Sequence, residues 1–432
     1  MIKLTIQFLL IFLLTNCSIN SKSKFWKESE RKKIETSSEI ELFKEKKSFS
    51  EEYNTNIKIS LNNNYQLNSF VNNNKNNIKI LNYDGKLNLE ETFKFKKIDN
   101  FNLFQPDIHI TKYSNLIIFD GRGSIIKLDE NLKLIWKKNI YKKKEIKNNL
   151  LLNFSSSNNS LIVTDNISNI FSIDLKTGNL NWKKNSKSSF NSDIKIKKDR
   201  IYVVDYDNIL HCLSIKNGNI IWKYISDNTL IKSTKKVSLI LDDKKVVFIN
   251  SLGDVNALDL INGNLIWQTP TQKSSVVEDS FSIKYSKIVL DNKSIFFSNN
   301  KNQFFSLNSK NGTLNWIKNI NSVITPIILD KIIFTISIDG YLIVLDSTKG
   351  EIIRSTKIDS KINLKKNLFF NGFIVAKNKI YISLSDGKIL VIEILNGKPI
   401  ITKKLKRSNI SKPIVLNKYM FILSKNSIRK YN

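Results

Sequence analysis

From about residue 78 onward the chain alternates short apolar runs with polar turns, and the runs are too short and too rich in β-branched residues for helices. A representative stretch reads Arg200-Ile-Tyr-Val-Val-Asp205, then Asn208-Ile-Leu-His-Cys-Leu213, then a polar turn, then a run that carries Trp222. Mixed β-branched and aromatic runs bounded by Asn, Asp, Lys and Gly are strands. The first run is apolar throughout and belongs near the centre of a sheet. The second alternates more and leads through Lys216-Asn217-Gly218 into the tryptophan strand. Each such unit reads as a four-stranded antiparallel sheet.

The unit repeats. Four copies of its turn read Asp174-Leu-Lys-Thr-Gly178-Asn-Leu-Asn-Trp182, Ser214-Ile-Lys-Asn-Gly218-Asn-Ile-Ile-Trp222, Asp259-Leu-Ile-Asn-Gly263-Asn-Leu-Ile-Trp267 and Asn308-Ser-Lys-Asn-Gly312-Thr-Leu-Asn-Trp316. The glycine suits a turn position needing positive φ, and the leading Asp, Ser or Asn caps turn amides with its side chain. A strand–turn–strand phrase recurring about every 45 residues is the signature of a propeller or solenoid.

Three degenerate copies extend the array. Leu128 to Trp136 keeps the tryptophan with a shorter turn, whereas Asp346 to Arg354 and Glu393 to Ile401 keep Gly350 and Gly397 and lose it. The last stretch, Pro413 to Tyr431, has strand-like runs but no tryptophan strand. The segment Leu87 to Lys96 can supply the missing outer strand, with Phe93 or Phe95 in the tryptophan's place. Joining the two ends removes exposed sheet edges. The expected fold is all-β: an eight-bladed β-propeller of four-stranded antiparallel blades over residues 78–432, its last blade closed by an N-terminal strand.

Trp136, Trp182, Trp222, Trp267 and Trp316, with Gly178, Gly218, Gly263 and Gly312, are expected to dock adjacent blades, the indole N–H bonding to neighbouring backbone. The alternative is a set of stacking platforms for bases or sugars. The fixed glycine-to-tryptophan offset favours packing.

Residues 1–16 read as a targeting segment. Lys3 precedes an apolar run from Leu4 to Leu14, too short to span a bilayer and suited to a signal-peptide core. The run ends at Leu14-Thr15-Asn16-Cys17, which resembles a bacterial lipoprotein box with Cys17 as the lipidated residue. Asn16 stands where such boxes carry Gly, Ala or Ser. An ordinary cleaved signal with a chance cysteine is the competing reading, and the position of Cys17 at the end of the apolar run favours lipidation. Ser18 after the cysteine points to the outer membrane. Residues 17–77 read as a flexible, charged tether with asparagine-rich runs at 62–64 and 72–77.

A net charge of +31 raises the question of nucleic acid. Arginine, whose planar fork reads phosphates and bases, occurs only at Arg31, Arg122, Arg200, Arg354, Arg407 and Arg429; the other basic residues are lysines spread along the chain. No nucleic-acid partner is expected, and a solvated lysine surface suffices. With Cys17 acylated, Cys212 has no disulfide partner and reads as a buried thiol in a strand. His109 and His211 fall in separate blades. No Cys/His cluster has metal spacing, no GxSxG occurs and no phosphate-cradling glycine loop is present. Neither catalytic residues, cofactor nor metal is expected.

The Gly-x-Leu/Ile-x-Trp units resemble the repeats of PQQ-type β-propellers. Together with the lipoprotein start and the eight-blade count they resemble the BamB-like family, the lipoproteins of outer-membrane β-barrel assembly. Asn100 to Asp107 is similar to the segment that leads into that family's first complete blade. The resemblance implies a non-enzymatic scaffold of the BAM complex, anchored in the outer membrane and facing the periplasm. It would bind the POTRA domains of a BamA-like barrel protein beside the other BAM subunits, and help unfolded outer membrane proteins insert. In the family, linkers between middle blades make that contact. Here they correspond to Leu230-Ile231-Lys232, where lysine replaces the family's arginine. The second linker corresponds to Ser282-Ile283-Lys284, with Glu278 and Asp279 just upstream of the place of the family's acidic pair. Two other classes stay open: a periplasmic lipoprotein that binds polysaccharide or peptidoglycan, and a PQQ-dependent dehydrogenase. The second would need adjacent cysteines and an acidic metal site that this chain lacks.

Overall fold

The apolar runs pair into eight antiparallel sheets among the residues that the computed structural model describes, which are 52–53, 59, 61, 64–69, 74–77, 79–227, 236–272, 283–358 and 368–432. All belong to the unit Lys47–Asn432. Blade 1 runs from its inner strand His109–Ile110 to its outer strand Leu134–Lys138. Blade 2 spans Leu152–Ser156 to Leu180–Asn185, blade 3 Lys195–Lys197 to Ile220–Ile225, and blade 4 Leu239–Leu241 to Leu265–Thr269. Blade 5 spans Val289–Asp291 to Leu314–Lys318, blade 6 Ile327–Leu329 to Ile352–Lys357, and blade 7 Phe370–Ala376 to Pro399–Lys404. Blade 8 takes three strands from the C-terminus, Ile414–Leu416, Tyr419–Ser424 and Ser427–Tyr431, and its outer strand, Leu89–Lys94, from the N-terminal side. Leu89 pairs with Tyr431 and Lys94 with Ser427. The eight-bladed propeller expected from the repeats, closed by an N-terminal strand, is the observed fold.

Burial follows strand position. The second strand of blade 3 is sealed from Ile201 to Val204, because both its faces meet neighbouring blades. Outer strands are largely exposed; that of blade 5 buries only Trp316. The apolar clusters advance round the ring: one joins blades 2 and 3, the next blades 3 and 4, and so on. A last cluster unites Leu416, Phe421, Leu423 and Ile428 of blade 8 with blades 1 and 2.

Two features lie outside the repeat. Glu52–Tyr53 adds a fifth strand to blade 6, opposite Ser355 and Arg354. The described residues between Asn64 and Asn77, expected from sequence to end a flexible tether, are hydrogen-bonded to the blades: Ser69 N–H donates to Val415 O at 2.7 Å and Leu241 N–H donates to Asn74 O at 2.9 Å. Apart from the exposed Tyr65 and Leu67 their side chains are polar, so no apolar pattern announces the docking. The bonds are made by backbone and carboxamide groups instead.

Candidate interaction surface

Each outer strand carries a β-bulge at the same place, which aims one side chain at the next blade. In blades 1 to 5 that side chain is the tryptophan, and it lies under the glycine turn of the following blade. Gly218 has φ +71°, and a Cβ there would stand 2.5 Å from the Trp182 ring. Both the left-handed backbone and the close ring therefore demand glycine. Trp136 meets Gly178, Trp222 meets Gly263, Trp267 meets Gly312 and Trp316 meets Gly350 in the same way. The turn holds its shape because its leading side chain caps it: Asp259 Oδ1 accepts from the amides of Ile261 (2.8 Å) and Asn262 (3.0 Å).

The indole N–H groups bond to the carbonyl just after that capping residue. Trp182 donates to Ile215 O at 2.9 Å and Trp316 to Ser347 O at 3.1 Å. Trp136 and Trp267 donate to Leu175 O and Ser309 O, each at 3.3 Å. Trp222 differs. Its Nε1 is buried without a partner, and the equivalent carbonyl, Leu260 O, is taken by Tyr202 Oη at 3.0 Å. In blade 6 Arg354 occupies the tryptophan position, and its guanidinium donates to Ile394 O (2.6 Å) and Leu395 O (2.5 Å) above Gly397. In blade 8 the register puts Glu91 there, opposite Lys430; Phe93 and Phe95 pack further along the strand, against the core of blades 8, 1 and 2. The expectation that a phenylalanine replaces the tryptophan is thus corrected: the bulge follows Leu89, so the position falls two residues before Phe93.

A second capped turn joins the middle strands; Asp120-Gly-Arg-Gly123 reads as a turn from the sequence, but its buried cap does not. Asp120, Asp165 and Asp205 are buried between the middle strands of blades 1, 2 and 3, and each accepts from the amides two and four residues on. The spare oxygen of each then needs a donor. Lys137 serves Asp120 at 2.7 Å, Tyr141 serves Asp165 at 2.8 Å, and His211 serves Asp205 at 2.8 Å. The recurring Asp or Asn at the end of the second strand in blades 1 to 5 is the signal that could have revealed it. His211 is therefore a structural partner of a carboxylate. His109 bonds Ser156 Oγ at 2.9 Å inside the core, and burial pushes its pKa down to about 3, which keeps it neutral. Burial likewise raises the Cys212 thiol to about 11. Neither a general base nor a thiolate nucleophile is offered to solvent by these groups. Among the described residues no three His, Cys, Asp or Glu side chains gather as a metal site, and no helix is long and apolar enough to cross a membrane.

Charged groups do gather at one mouth of the axial channel. Asp107, Asp193, Lys287 and Lys412 each stand two residues before the inner strand of blades 1, 3, 5 and 8, so the topology brings them to the same end. Lys287 Nζ lies 3.0 Å from Asp193 and 3.8 Å from Asp107. Burial alone would raise the Asp193 carboxyl, but Lys287, Lys195 and Lys236 outweigh it and hold it at about 2. Burial lowers Lys195 and Lys412 to about 8. Lysines outnumber carboxylates here, so the mouth favours an acidic partner.

Apolar side chains also face solvent on the outer strands and turns of blades 3 and 4: Ile220, Ile221, Ile225, Ile261, Leu265 and Ile266. The sequence-derived contact residues Leu230, Ile231, Lys232, Glu278 and Asp279 fall on the connectors from blade 3 to 4 and from 4 to 5; they, like Cys17, lie outside the described residues.

Comparison with known proteins agrees with this architecture. The family model described as outer membrane protein assembly factor BamB matches residues 121–356. No curated protein matches the sequence. Among solved structures, BamB from Moraxella catarrhalis superposes with a TM-score of 0.65 at 15% identity, covering 80% of this chain and 99% of that one. Quinohemoprotein alcohol dehydrogenase from Comamonas testosteroni gives 0.63 at 10% identity, covering 82% and 78%. The C-terminal WD40 domain of Sif2 gives 0.57 at 13% identity, covering 79% and 97%. At these identities the structural likenesses speak for the fold alone.

Proposed function

The chain belongs to the propeller family of outer membrane protein assembly factor BamB, and from that membership we propose that it is a lipid-anchored, non-catalytic scaffold of outer-membrane β-barrel assembly. In this reading Cys17 carries the lipid and holds the propeller on the periplasmic face of the outer membrane. The propeller docks the POTRA domains of a BamA-like barrel protein beside other BAM subunits, and so helps outer membrane proteins insert. The observation that carries the proposal is the family match over residues 121–356, which takes in blades 2 to 5, the outer two strands of blade 1 and all but the last residue of blade 6.

The proposed contact is the pair of connectors holding Leu230-Ile231-Lys232 and Glu278-Asp279. Exposed Ile225, at the end of the blade 3 outer strand from which the first connector leaves, gives that side an apolar anchor. A ring of blades locked by stacked indoles suits a scaffold, because its loops are presented at little conformational cost. A PQQ-dependent dehydrogenase finds less support in the residues. The chain has no adjacent cysteines, and Lys195, Lys236, Lys287 and Lys412 line the axial mouth where an acidic metal site would be needed.

The test is a mild-detergent pull-down of the tagged chain from native membranes, with co-purifying proteins identified by mass spectrometry. Recovery of a POTRA-containing barrel protein, lost when Leu230 and Ile231 are both replaced by Asp, supports the scaffold. Its absence with the propeller intact, and retention of an acidic glycan instead, would transfer the proposal to a polysaccharide- or peptidoglycan-binding role.

A further inference from the structure

The described residues of the N-terminal segment lie on both sides of the propeller axis, as two parallel stems and a tip. Its two stems, around Gln66 and Leu81, pair with each other, Gln66 N–H donating to Ile80 O and Asn82 N–H to Gln66 O, both at 2.7 Å. The outward stem also pairs with the inner strand of blade 8 (Asn68 with Leu416), and the returning stem with that of blade 7 (Leu81 with Ala376). Between them the tip, Asn74–Asn77, is hydrogen-bonded on the far side of the axis to blades 3, 4 and 5. Asn76 serves all three: its Nδ2 donates to Leu239 O (3.2 Å) and Ile288 O (2.9 Å), and its Oδ1 accepts from Lys195. Asn74 Nδ2 donates to Ile196 O at 3.3 Å, and Asn77 Nδ2 to Asp291 Oδ1 at 2.9 Å. The tip's backbone carbonyls accept from Leu241 N–H and Leu290 N–H, each at 2.9 Å.

Stem and tip differ in what holds them. Ile80, Leu81, Tyr83 and Leu87 on the returning stem are at most 4% exposed and complete the apolar cores of blades 6 to 8. The tip residues Asn74, Lys75, Asn76 and Asn77 are half-buried or exposed and bury no apolar side chain. Its bonds exchange for bonds to water, each with a net worth of about 0.5–1.5 kcal/mol, whereas removing the stem would expose whole apolar side chains. The tip can therefore leave while the stem and the ring stay closed. What it leaves behind is a row of inner-strand groups facing the axis: the carbonyls of Ile196, Leu239 and Ile288, and the amides of Leu241 and Leu290. Inner strands bond to their own blade along one edge only, so these groups are an open edge for an extended chain.

We propose that the axial end formed by the inner strands of blades 3, 4 and 5 is a peptide-binding site for extended, asparagine-bearing chains, which the protein occupies with its own residues Asn74–Asn77. Asparagine suits the site because one carboxamide donates to two strand carbonyls while accepting from a lysine. The occupant in cis acts at the high effective concentration of a tethered ligand and masks the site from peptides in trans. The site does not depend on the family's assembly role.

The test uses the full chain, wild type and with Asn74, Asn76 and Asn77 all replaced by Ala. Amide hydrogen exchange at Leu241 and Leu290 should rise at least tenfold in the variant, while the amides of Leu81 on the stem and of Lys377 in the blade 7 hairpin bonded to it stay protected. A fluorescent peptide spanning residues 64–83 should bind the variant at least tenfold more tightly than the wild type. Unchanged exchange at Leu241 and Leu290, or exposed amides without peptide binding, overturns the proposal. Should that variant not fold, the single replacement Asn76→Ala decides. Faster exchange at Leu241 and Leu290, reversed by the peptide but not by a peptide whose asparagines are Ala, supports the site. Wild-type exchange at both amides, or faster exchange that the peptide leaves unchanged, overturns it.

Discussion

From blade 1 to blade 6 the ring uses one device five times over, an indole laid under a glycine turn; from blade 6 round to blade 1 it uses three different ones. Arg354 spans blades 6 and 7 with a two-pronged bond to backbone carbonyls. Blades 7 and 8 are joined by the N-terminal stem, where Tyr83 meets Tyr381 edge-on at 5.2 Å and donates to the terminal carbonyl of Asn432 at 3.0 Å. Blades 8 and 1 are joined by the packing of Phe93 and Phe95 and by Lys430, which donates to Asn131 at 2.8 Å. Between blades 6 and 7 the glycine turn is kept at Gly397 and only the side chain laid against it differs; between blades 7 and 8 the reason for the change lies in the seam. A stacked indole needs a glycine turn in the next blade, and blade 8 has none, because its third and fourth strands come from opposite ends of the chain. Where the turn is missing the tryptophan has nothing to lie against, and other groups fill the space.

Truncation in each sector tests this contrast hardest. Trp316→Ala should lower the unfolding free energy by about 3–5 kcal/mol, as large buried truncations do, and Tyr83→Ala should approach it. Denaturant melts of the two variants check this, and a silent Tyr83→Ala would show that the stem does not share in closing the ring. Next in size is Arg354→Lys. A lysine keeps the charge but loses the fork, so the loss should be about 1–3 kcal/mol. A thermal melt identical to wild type would reduce Arg354 to a space-filler. The smallest effect separates two tryptophans within the regular sector. Trp182→Phe loses the bond to Ile215 O and should cost about 1 kcal/mol more than Trp222→Phe, whose indole N–H has no partner to lose. Equal losses, measured in parallel melts, would mean the indole bonds contribute nothing beyond stacking.

The regular sector is legible in the amino-acid sequence. Glycine at +71° under a ring 2.5 Å from where its Cβ would be is a local demand, repeated, and a repeated local demand leaves a repeated word in the sequence. The same logic counts eight blades and finds the strand Leu89–Lys94 that closes the last. The irregular sector is not legible in this way. Arg354 reads only as a lost tryptophan, because nothing nearby in sequence says that Ile394 O and Leu395 O await a donor. Aromatic character favours Phe93 and Phe95 over Glu91, and only the bulge, which sets the register, reverses that choice. The capping aspartates Asp120, Asp165 and Asp205 resemble ordinary turn residues, since burial is what distinguishes them. The membrane anchor at Cys17 and the connector residues from Leu230 to Lys232 and at Glu278 and Asp279 rest on resemblance and on the proposal built from it.

The sequence by itself determined the blade, its strand order, its stacked tryptophan and the number of times it is repeated. Those properties depend on neighbours within about forty residues, where hydrophobic alternation and turn chemistry act directly. Only the tertiary structure decided how the seam is held and where the asparagine-rich segment goes. Asn76 meets partners 119, 163 and 212 residues away. A carboxamide bonding to strand backbone leaves no apolar period and no spacing to read. Such contacts exist only once the ring has brought the inner strands of distant blades round a common axis.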